Sequence, residues 1–551
     1  MSVHASIAAL PPLGAGDIQE RLVRSLAEPG RLGELGGAAQ LLETHISWVL
    51  LAGGYAWKIK KPVDLGFLDF STLARRRHFC EEELRLNRRL APELYLDVVA
   101  ISGTPDAPRL ASVEAPAVGH AFEYAVRMAR FPQSALADRM LAAGALLPSH
   151  MDELALLMAR FHESAPRAGA GDAWGRPEHV LAPARQNFSQ IRTLGVGEEG
   201  MALATLEAWS QATFDRLATW VEARHQGGFV RECHGDLHLG NIAVVDGRVR
   251  VFDGIEFNAD LRWIDIQSEV AFLVMDLTAR GRADYAARFL NAWLQHSGDY
   301  AGLCLQPWYQ VYRAMVRAKV ARIRAAQPGL ATAKGALARA DFLAHLRLAS
   351  TLGRPGFPVL LLTHGFSGAG KTTATQALVE SLGAVRLRSD VERKRLCGLD
   401  AGQASGSALG TGLYREEMGH ATYAELRRLA RLVLGAGYPA IVDATFLRRQ
   451  QRDEFRALAG ELELPFLILD CCAEGDELRR RVACRIAAGT DASEATLEVL
   501  ERQMATAEPL GAEEAPFVLA MDTAQDDLTG FCQRVRRRLG WSGADAWVEE
   551  C

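Results

Sequence analysis

The chain has 551 residues, too many for one ordinary core, and a prior of roughly 150 residues per domain sets two to four folding units. With 49% hydrophobic and 23% charged residues it is not a disordered chain, and a net charge of −5 gives no dominant field for nucleic acid. The nine cysteines lack any CxxC spacing and read as reduced thiols; with no export-type N-terminus and no run of about 18 apolar residues, a soluble cytoplasmic protein is expected.

In chain order, residues 16–30 read as a short amphipathic helix ended by Pro29-Gly30. Three β-segments follow in "AAQLLETHISWVLLAGGYAWKIKK", with a tight loop at Thr44-His45-Ile46-Ser47, a Gly53-Gly54 turn, and a strand ending near Lys58. The charged run "STLARRRHFCEEELRLNRRLAP" predicts a helix stopped at Pro92. Strands reach about residue 131, helices fill 134–225, and more helices run to about residue 350 beyond the polar stretch "CHGDLHLGN". "TLGRPGFP", residues 351–358, is the expected linker between domains at 1–350 and 359–551. After it, apolar runs at "PVLLLTHG", "AVRLRSD", "YPAIVDAT", "PFLILDCC" and "FVLAMDT" alternate with helical segments, the pattern of a five-stranded parallel sheet.

The first chemical signal lies in "CHGDLHLGNIAVVDGRVRVFDG". Asp246-Gly247 predicts a two-residue hairpin turn; pairing Val245 with Arg248 then sets Asn241 opposite Phe252, one step from Asp253. Two oxygen-bearing side chains meeting at the open end of a hairpin suit Mg²⁺, which takes hard oxygen ligands. Asp236, five residues before Asn241, reaches the same region and can accept the proton of an acceptor hydroxyl.

This D-x4-N, hairpin, Asp pattern resembles the catalytic loop of protein-kinase-like enzymes, and "HGDLHLGN" with "VFDG" resembles the aminoglycoside phosphotransferase and choline kinase branch. The resemblance implies Asp236 as catalytic base and Asn241 and Asp253 as Mg²⁺ ligands, on a fold with a small β-rich lobe and a helical lobe. It also implies a strand lysine, Lys58, paired with a helical glutamate. Glu83 is the choice because Leu86 and Leu90 lie behind it at helical spacings, with Glu81 and Glu82 left as neighbours. His234 is expected to pack structurally, and His238 has no assigned role. No GxGxxG loop precedes Lys58, so phosphate contacts there would fall to Thr44, Ser47 and local amides.

A second signal, "GFSGAGKTT", satisfies G-x4-G-K-[ST] between an apolar strand and a helix. Amides from Gly365, Ser367, Gly368, Ala369, Gly370, Lys371, Thr372 and Thr373 are expected around the phosphates of ATP, with Lys371 on the terminal ones and the Thr372 hydroxyl on Mg²⁺. Asp443 ends another apolar strand, where a Mg²⁺-organising carboxylate belongs. Asp390 stands at the mouth of the same sheet as candidate base or helix N-cap, and Arg393 beside it is an acceptor-binding candidate. Arg481 and Arg485 share one helical face; this resembles the arginine lid of small-molecule P-loop kinases, with Arg485 ahead, although a solvated face explains the spacing equally.

The second set resembles the gluconate kinase and zeta-toxin group. The whole chain resembles bacterial proteins described as bifunctional aminoglycoside phosphotransferase and ATP-binding proteins. That implies two ATP- and Mg²⁺-dependent phosphotransferase sites acting on small hydroxyl-bearing acceptors. A regulatory protein with a ligand-sensing kinase-like half is the competing expectation, drawn from the missing glycine-rich loop. The small net charge speaks against polynucleotide acceptors, and neither acceptor identity nor oligomeric state is readable.

Overall fold

An apolar run before Gly53-Gly54 and an alternating one, "AWKIK", after it build the first sheet. In the computed structural model, which describes residues 18–541 apart from 33–38, 67, 114–119, 196, 328–331, 404–415 and 489–492, that sheet has six strands. They are β1 (Gln40–Glu43), β2 (Ser47–Ala52), β3 (Tyr55–Lys60), β4 (Tyr95–Thr104), β5 (Ala107–Ser112) and β6 (Glu123–Ala129), all paired antiparallel in the order β1-β2-β3-β6-β4-β5.

The period of two sorts β3 into two faces. Trp57 and Ile59 join Leu50, Val99 and Ile101 against Leu22, Val23 and Leu26 of the helix Ile18–Ala27. Lys58 and Lys60 therefore project toward the other face, which is covered by the helix Leu73–Asn87. That helix is opened by the Thr72 hydroxyl, which accepts the Arg75 N–H, and its buried stripe runs Arg76, Cys80, Glu83, Asn87 at helical spacing.

The chain divides into two compact units: residues up to His150 with Ser164–Val180 and Thr219–Leu273, and Met151–Glu163 with Leu181–Ala218 and everything from Val274. The first unit also holds β7 (Val230–Glu232) and the hairpin β8 (Ile242–Val245) and β9 (Arg248–Val251), followed by β10 (Trp263–Asp265) antiparallel to β7. The hairpin has the expected register, Val245 opposite Arg248, and turns through left-handed Asp246 and Gly247.

All five apolar runs of the C-terminal part form strands: β11 (Leu360–His364), β12 (Val385–Arg388), β13 (Ala440–Asp443), β14 (Phe466–Cys472) and β15 (Val518–Asp522). They make one parallel sheet in the order β12-β13-β11-β14-β15. The glycine-rich loop follows the central strand β11, at the carboxyl ends where parallel sheets bind ligands.

Helical residues from the middle of the chain belong to this second unit. From the helix Ala283–Ser297, Arg288 pairs with Glu380 at 2.8 Å and Asn291 donates to Ala384 O at 3.2 Å. The Tyr300 hydroxyl bonds Glu392 at 3.1 Å; Glu392, 1% exposed, also pairs with Arg395, which donates to Gln295 O at 2.6 Å. The short helix Ser389–Leu396, which bears Asp390, is thus fastened at Glu392 and Arg395. Among the described residues no helix is long and apolar enough to cross a membrane.

Candidate active sites

In the first unit, β3 and the helix Leu73–Asn87 bring Lys58 Nζ to 2.8 Å from Glu83 Oε1 and 2.6 Å from Asp253 Oδ1. Of the three adjacent glutamates only Glu83 lies on the buried stripe; Glu81 pairs with Arg77 and Glu82 with Arg85. Lys60, on the same strand face, places its ammonium 2.6 Å from Glu83 Oε2 and pairs with Glu256 as well.

Three carboxylates therefore share two ammonium groups. Burial alone depresses the Lys58 pKa, but Asp253, Glu83 and Glu256 outweigh it and the net shift is well upward; Lys60 follows the same pattern. Burial raises Glu83, and Lys58 and Lys60 together overcome it, so the net shift is downward. Asp253, whose side chain is 38% exposed, loses some hydration, yet Lys58 draws it down to about 2. Glu256 is the acid left short of positive charge, and burial pushes it up.

The loop carrying Asp236 is fixed by its two histidines. His234 Nε2 lies 2.9 Å from Phe252 O, and its Nδ1 accepts the Asp236 N–H. His238 Nδ1 accepts the Gly240 N–H, which puts its proton on Nε2, 3.4 Å from Asp236 Oδ2. The Asn241 carboxamide donates to the backbone oxygen of Asp236 at 3.0 Å and to its Oδ2 at 3.1 Å, so the amide oxygen is the end offered to a cation. Gly235 has no substitute: at φ +87° a Cβ would sit 2.7 Å from Leu261 O. Asp253 is itself left-handed, φ 63°, an uncommon conformation for a non-glycine residue and one that aims its carboxylate at Lys58.

Within the Thr44–Ser47 turn, the amides of Thr44, Ile46 and Ser47 expected at phosphate are spent on the turn itself. The Thr44 hydroxyl accepts the N–H groups of Ile46 and Ser47, and Thr44 N donates to Ser47 O, so the turn is closed on itself.

The second site has opposite construction. Among the described residues, the N–H groups of Gly368, Gly370, Lys371 and Thr372 donate to no protein acceptor, whereas Ala369 donates to Phe366 O and Thr373 to Gly370 O. Lys371 Nζ spans the loop to Gly365 O at 3.0 Å and Phe366 O at 2.8 Å. Burial depresses the Lys371 pKa; Asp443 and Asp390 oppose the shift and Arg485 adds to it, which sets all three within electrostatic reach of the ammonium. The Thr372 hydroxyl is 3.1 Å from Asp443 Oδ2.

Asp390 lies in the first turn of its helix, past the N-cap Arg388, and pairs with Arg393 at 3.0 Å. The two lid candidates divide. Arg481 is tied to Glu477, Thr523 and Gly368 O, while Arg485 donates to Ala495 O and keeps a buried Nε without a partner.

Residues 68–305 match the model of a Phosphotransferase enzyme family, and residues 360–510 that of an AAA domain. Over 454 residues the chain is 33% identical to the uncharacterized protein Rv2004c of Mycobacterium tuberculosis (strain ATCC 25618 / H37Rv), covering 82% of this chain and 87% of that protein. The chain belongs to this protein's family.

Solved structures similar to parts of the family member include a sugar kinase from Janibacter (22% identity, 35% of this chain, 99% of that one, TM-score 0.26). Another is a choline/ethanolamine kinase family protein from Mesorhizobium loti (13% identity, 60% of this chain, 98% of that one, TM-score 0.35). The layout is two-domain, a kinase-like N-terminal region and a C-terminal P-loop kinase-like domain on an all-parallel sheet. Both halves are of kinase-type phosphotransferase families.

Several residues in these sites carried no motif, Glu256 among them. Lys60 had one usable signal, its i+2 spacing from Lys58 on a strand. Arg386, within "AVRLRSD", is pushed down to about 10 by burial and donates to Thr372 O and Gln376, holding the start of the helix Lys371–Leu382. Gln503, whose Oε1 accepts the Ser367 N–H at 2.9 Å, is 136 residues from its partner and no local pattern marks it.

Proposed function

We propose that the protein is an ATP-dependent phosphotransferase with two nucleotide sites, each passing the γ-phosphate to a small hydroxyl-bearing acceptor. The observation that carries this reading is the set of unspent amides of Gly368, Gly370, Lys371 and Thr372 at a helix N-terminus, with Lys371 Nζ across the loop and Asp443 against the Thr372 hydroxyl. Phosphate oxygens are the acceptors such a donor set fits.

In the C-terminal half Lys371 neutralises charge on the terminal phosphates, Arg485 supports the transferring group, and Asp390 takes the acceptor's proton. Thr372 and Asp443 offer the hard oxygens that Mg²⁺ prefers, and Mg²⁺ when bound supplies charge neutralisation on the phosphates. In the N-terminal half Asp236, oriented by His238 and Asn241, serves as base. Lys58, held by Glu83, faces the phosphates, and Asn241 and Asp253 fit Mg²⁺ by the same oxygen chemistry. The protein's work in both halves is positioning and electrostatic stabilisation.

The closed Thr44–Ser47 turn favours a second reading for the N-terminal half alone, a ligand-sensing domain that binds nucleotide without transfer. An acceptor screen with labelled ATP separates them. Asp236→Ala should lower one product by roughly 10²- to 10⁴-fold, the usual yield of a general base, and Lys371→Ala should abolish a different one. A product that survives Asp236→Ala undiminished, with no other lost, leaves the N-terminal half a sensor.

A further inference from the structure

Within the glycine-rich loop, one N–H is treated differently from the rest. Gly368, Gly370, Lys371 and Thr372 leave theirs unspent and Ala369 gives its own to the backbone, but the Ser367 N–H is taken by a side chain, the carboxamide of Gln503, at 2.9 Å. Gln503 stands on the helix Leu497–Thr506, half-buried, so the contact is tertiary.

Ser367 sits at a particular end of the loop. Lys371 Nζ bonds Gly365 O and Phe366 O, the two residues just before Ser367, and the lysine of such loops serves the terminal phosphates. The N–H held by Gln503 is therefore on the terminal-phosphate side. A single N–H cannot serve two acceptors well. A hydrogen bond to a charged phosphate oxygen is about twice as strong as one to a neutral amide oxygen, so a phosphate reaching that end displaces the carboxamide.

Displacement there has somewhere to go. On the helix that bears Gln503, Glu501 pairs with Arg479 at 2.8 Å. The Ala495 carbonyl, one residue before that helix's N-cap Thr496, accepts from Arg485 Nη2 at 3.0 Å. Arg479 and Arg485 both lie on the helix Gly475–Ala488, so the segment carrying the candidate catalytic arginine is joined to Gln503 at two points.

We infer that Gln503 is a specificity-determining residue of the P-loop site. Its carboxamide competes with the terminal phosphate of a nucleoside triphosphate for the Ser367 N–H, and the exchange sets Arg485 according to whether a triphosphate or a diphosphate is bound. This rests on the reading of the loop as a nucleotide site.

The test titrates the full chain with a fluorescent non-hydrolysable ATP analogue and fluorescent ADP in Mg²⁺. Binding that Lys371→Ala removes belongs to the loop. Gln503→Ala should tighten the ATP analogue about fivefold, the worth of one neutral hydrogen bond, and leave ADP within about twofold. Gln503→Met, which keeps the side-chain length, should do the same, and Gln503→Glu should weaken the analogue at least about tenfold by setting a carboxylate against the phosphate. An unchanged ratio of ATP-analogue to ADP affinity in Gln503→Ala and Gln503→Met, or equal loss of both ligands, overturns the competition while leaving the nucleotide site standing. If Lys371→Ala removes no binding, the nucleotide-site reading falls and this proposal falls with it.

Discussion

The two candidate sites are built of opposite materials. Around Lys58 the polar groups are side-chain charges that satisfy one another, five ionisable groups in one cluster, and the Thr44–Ser47 turn keeps the amides of Thr44, Ile46 and Ser47 to itself. Around Lys371 the working groups are backbone N–H donors held open by loop geometry, and one side chain, Gln503, reaches in. A cluster of buried charges cannot lose one member cheaply, because the partner is left desolvated and unpaired. A backbone cradle is indifferent to many side chains and intolerant of an added Cβ.

The sharpest way to break this contrast is Lys60→Met. Lys60 is fully buried between Glu83 and Glu256, so its loss should cost about 3–5 kcal/mol in urea unfolding, and adding Glu256→Leu should recover most of it. Gly365→Ala attacks the other material: at φ +132° its Cβ would stand 2.3 Å from Cys471 O. A cost of about 1–3 kcal/mol is expected in the same unfolding measurement, with loop nucleotide binding lost and any Asp236-dependent product retained.

A titration sharpens the comparison through its pH dependence. Asp253 has its folded pKa lowered to about 2, against roughly 3.9 in an unfolded chain, so its contribution is complete above the unfolded value and lost as pH falls through the folded one. The unfolding difference between the parent chain and Asp253→Asn should be flat from roughly pH 5 to 9 and shrink only in acid. The smallest effect is Glu81→Gln, which touches only the exposed Arg77 pair and should stay within about 0.5 kcal/mol, although Glu81 is two residues from Glu83.

Local patterns carried much of this molecule into view. Asp246-Gly247 predicted its hairpin and register because a two-residue left-handed turn has few sequence solutions, and the strand, glycine loop and helix around Lys371 are contiguous in the chain. Glu83 needed the helix phase: its neighbours have the same charge, and only the stripe through Cys80 and Asn87 separates them. Glu256 and Gln503 were beyond such reasoning, since each meets its partner across a long sequence separation. The amides of Ile46 and Ser47, expected at phosphate, are taken for a local reason, a threonine hydroxyl that competes for the amides of its own turn.

Asp390 stands on a helix whose fastenings come from earlier in the chain: Tyr300 on Glu392, Gln295 O on Arg395, and, beside β12, Asn291 on Ala384 O. A fragment begun at residue 359 would keep every motif of the P-loop half and yet strand a buried glutamate with its phenol partner gone. Genetic dissection of the two halves is therefore better done with point substitutions than with scissors, because the helix bearing Asp390 is braced by helices that chain order assigns to the other half.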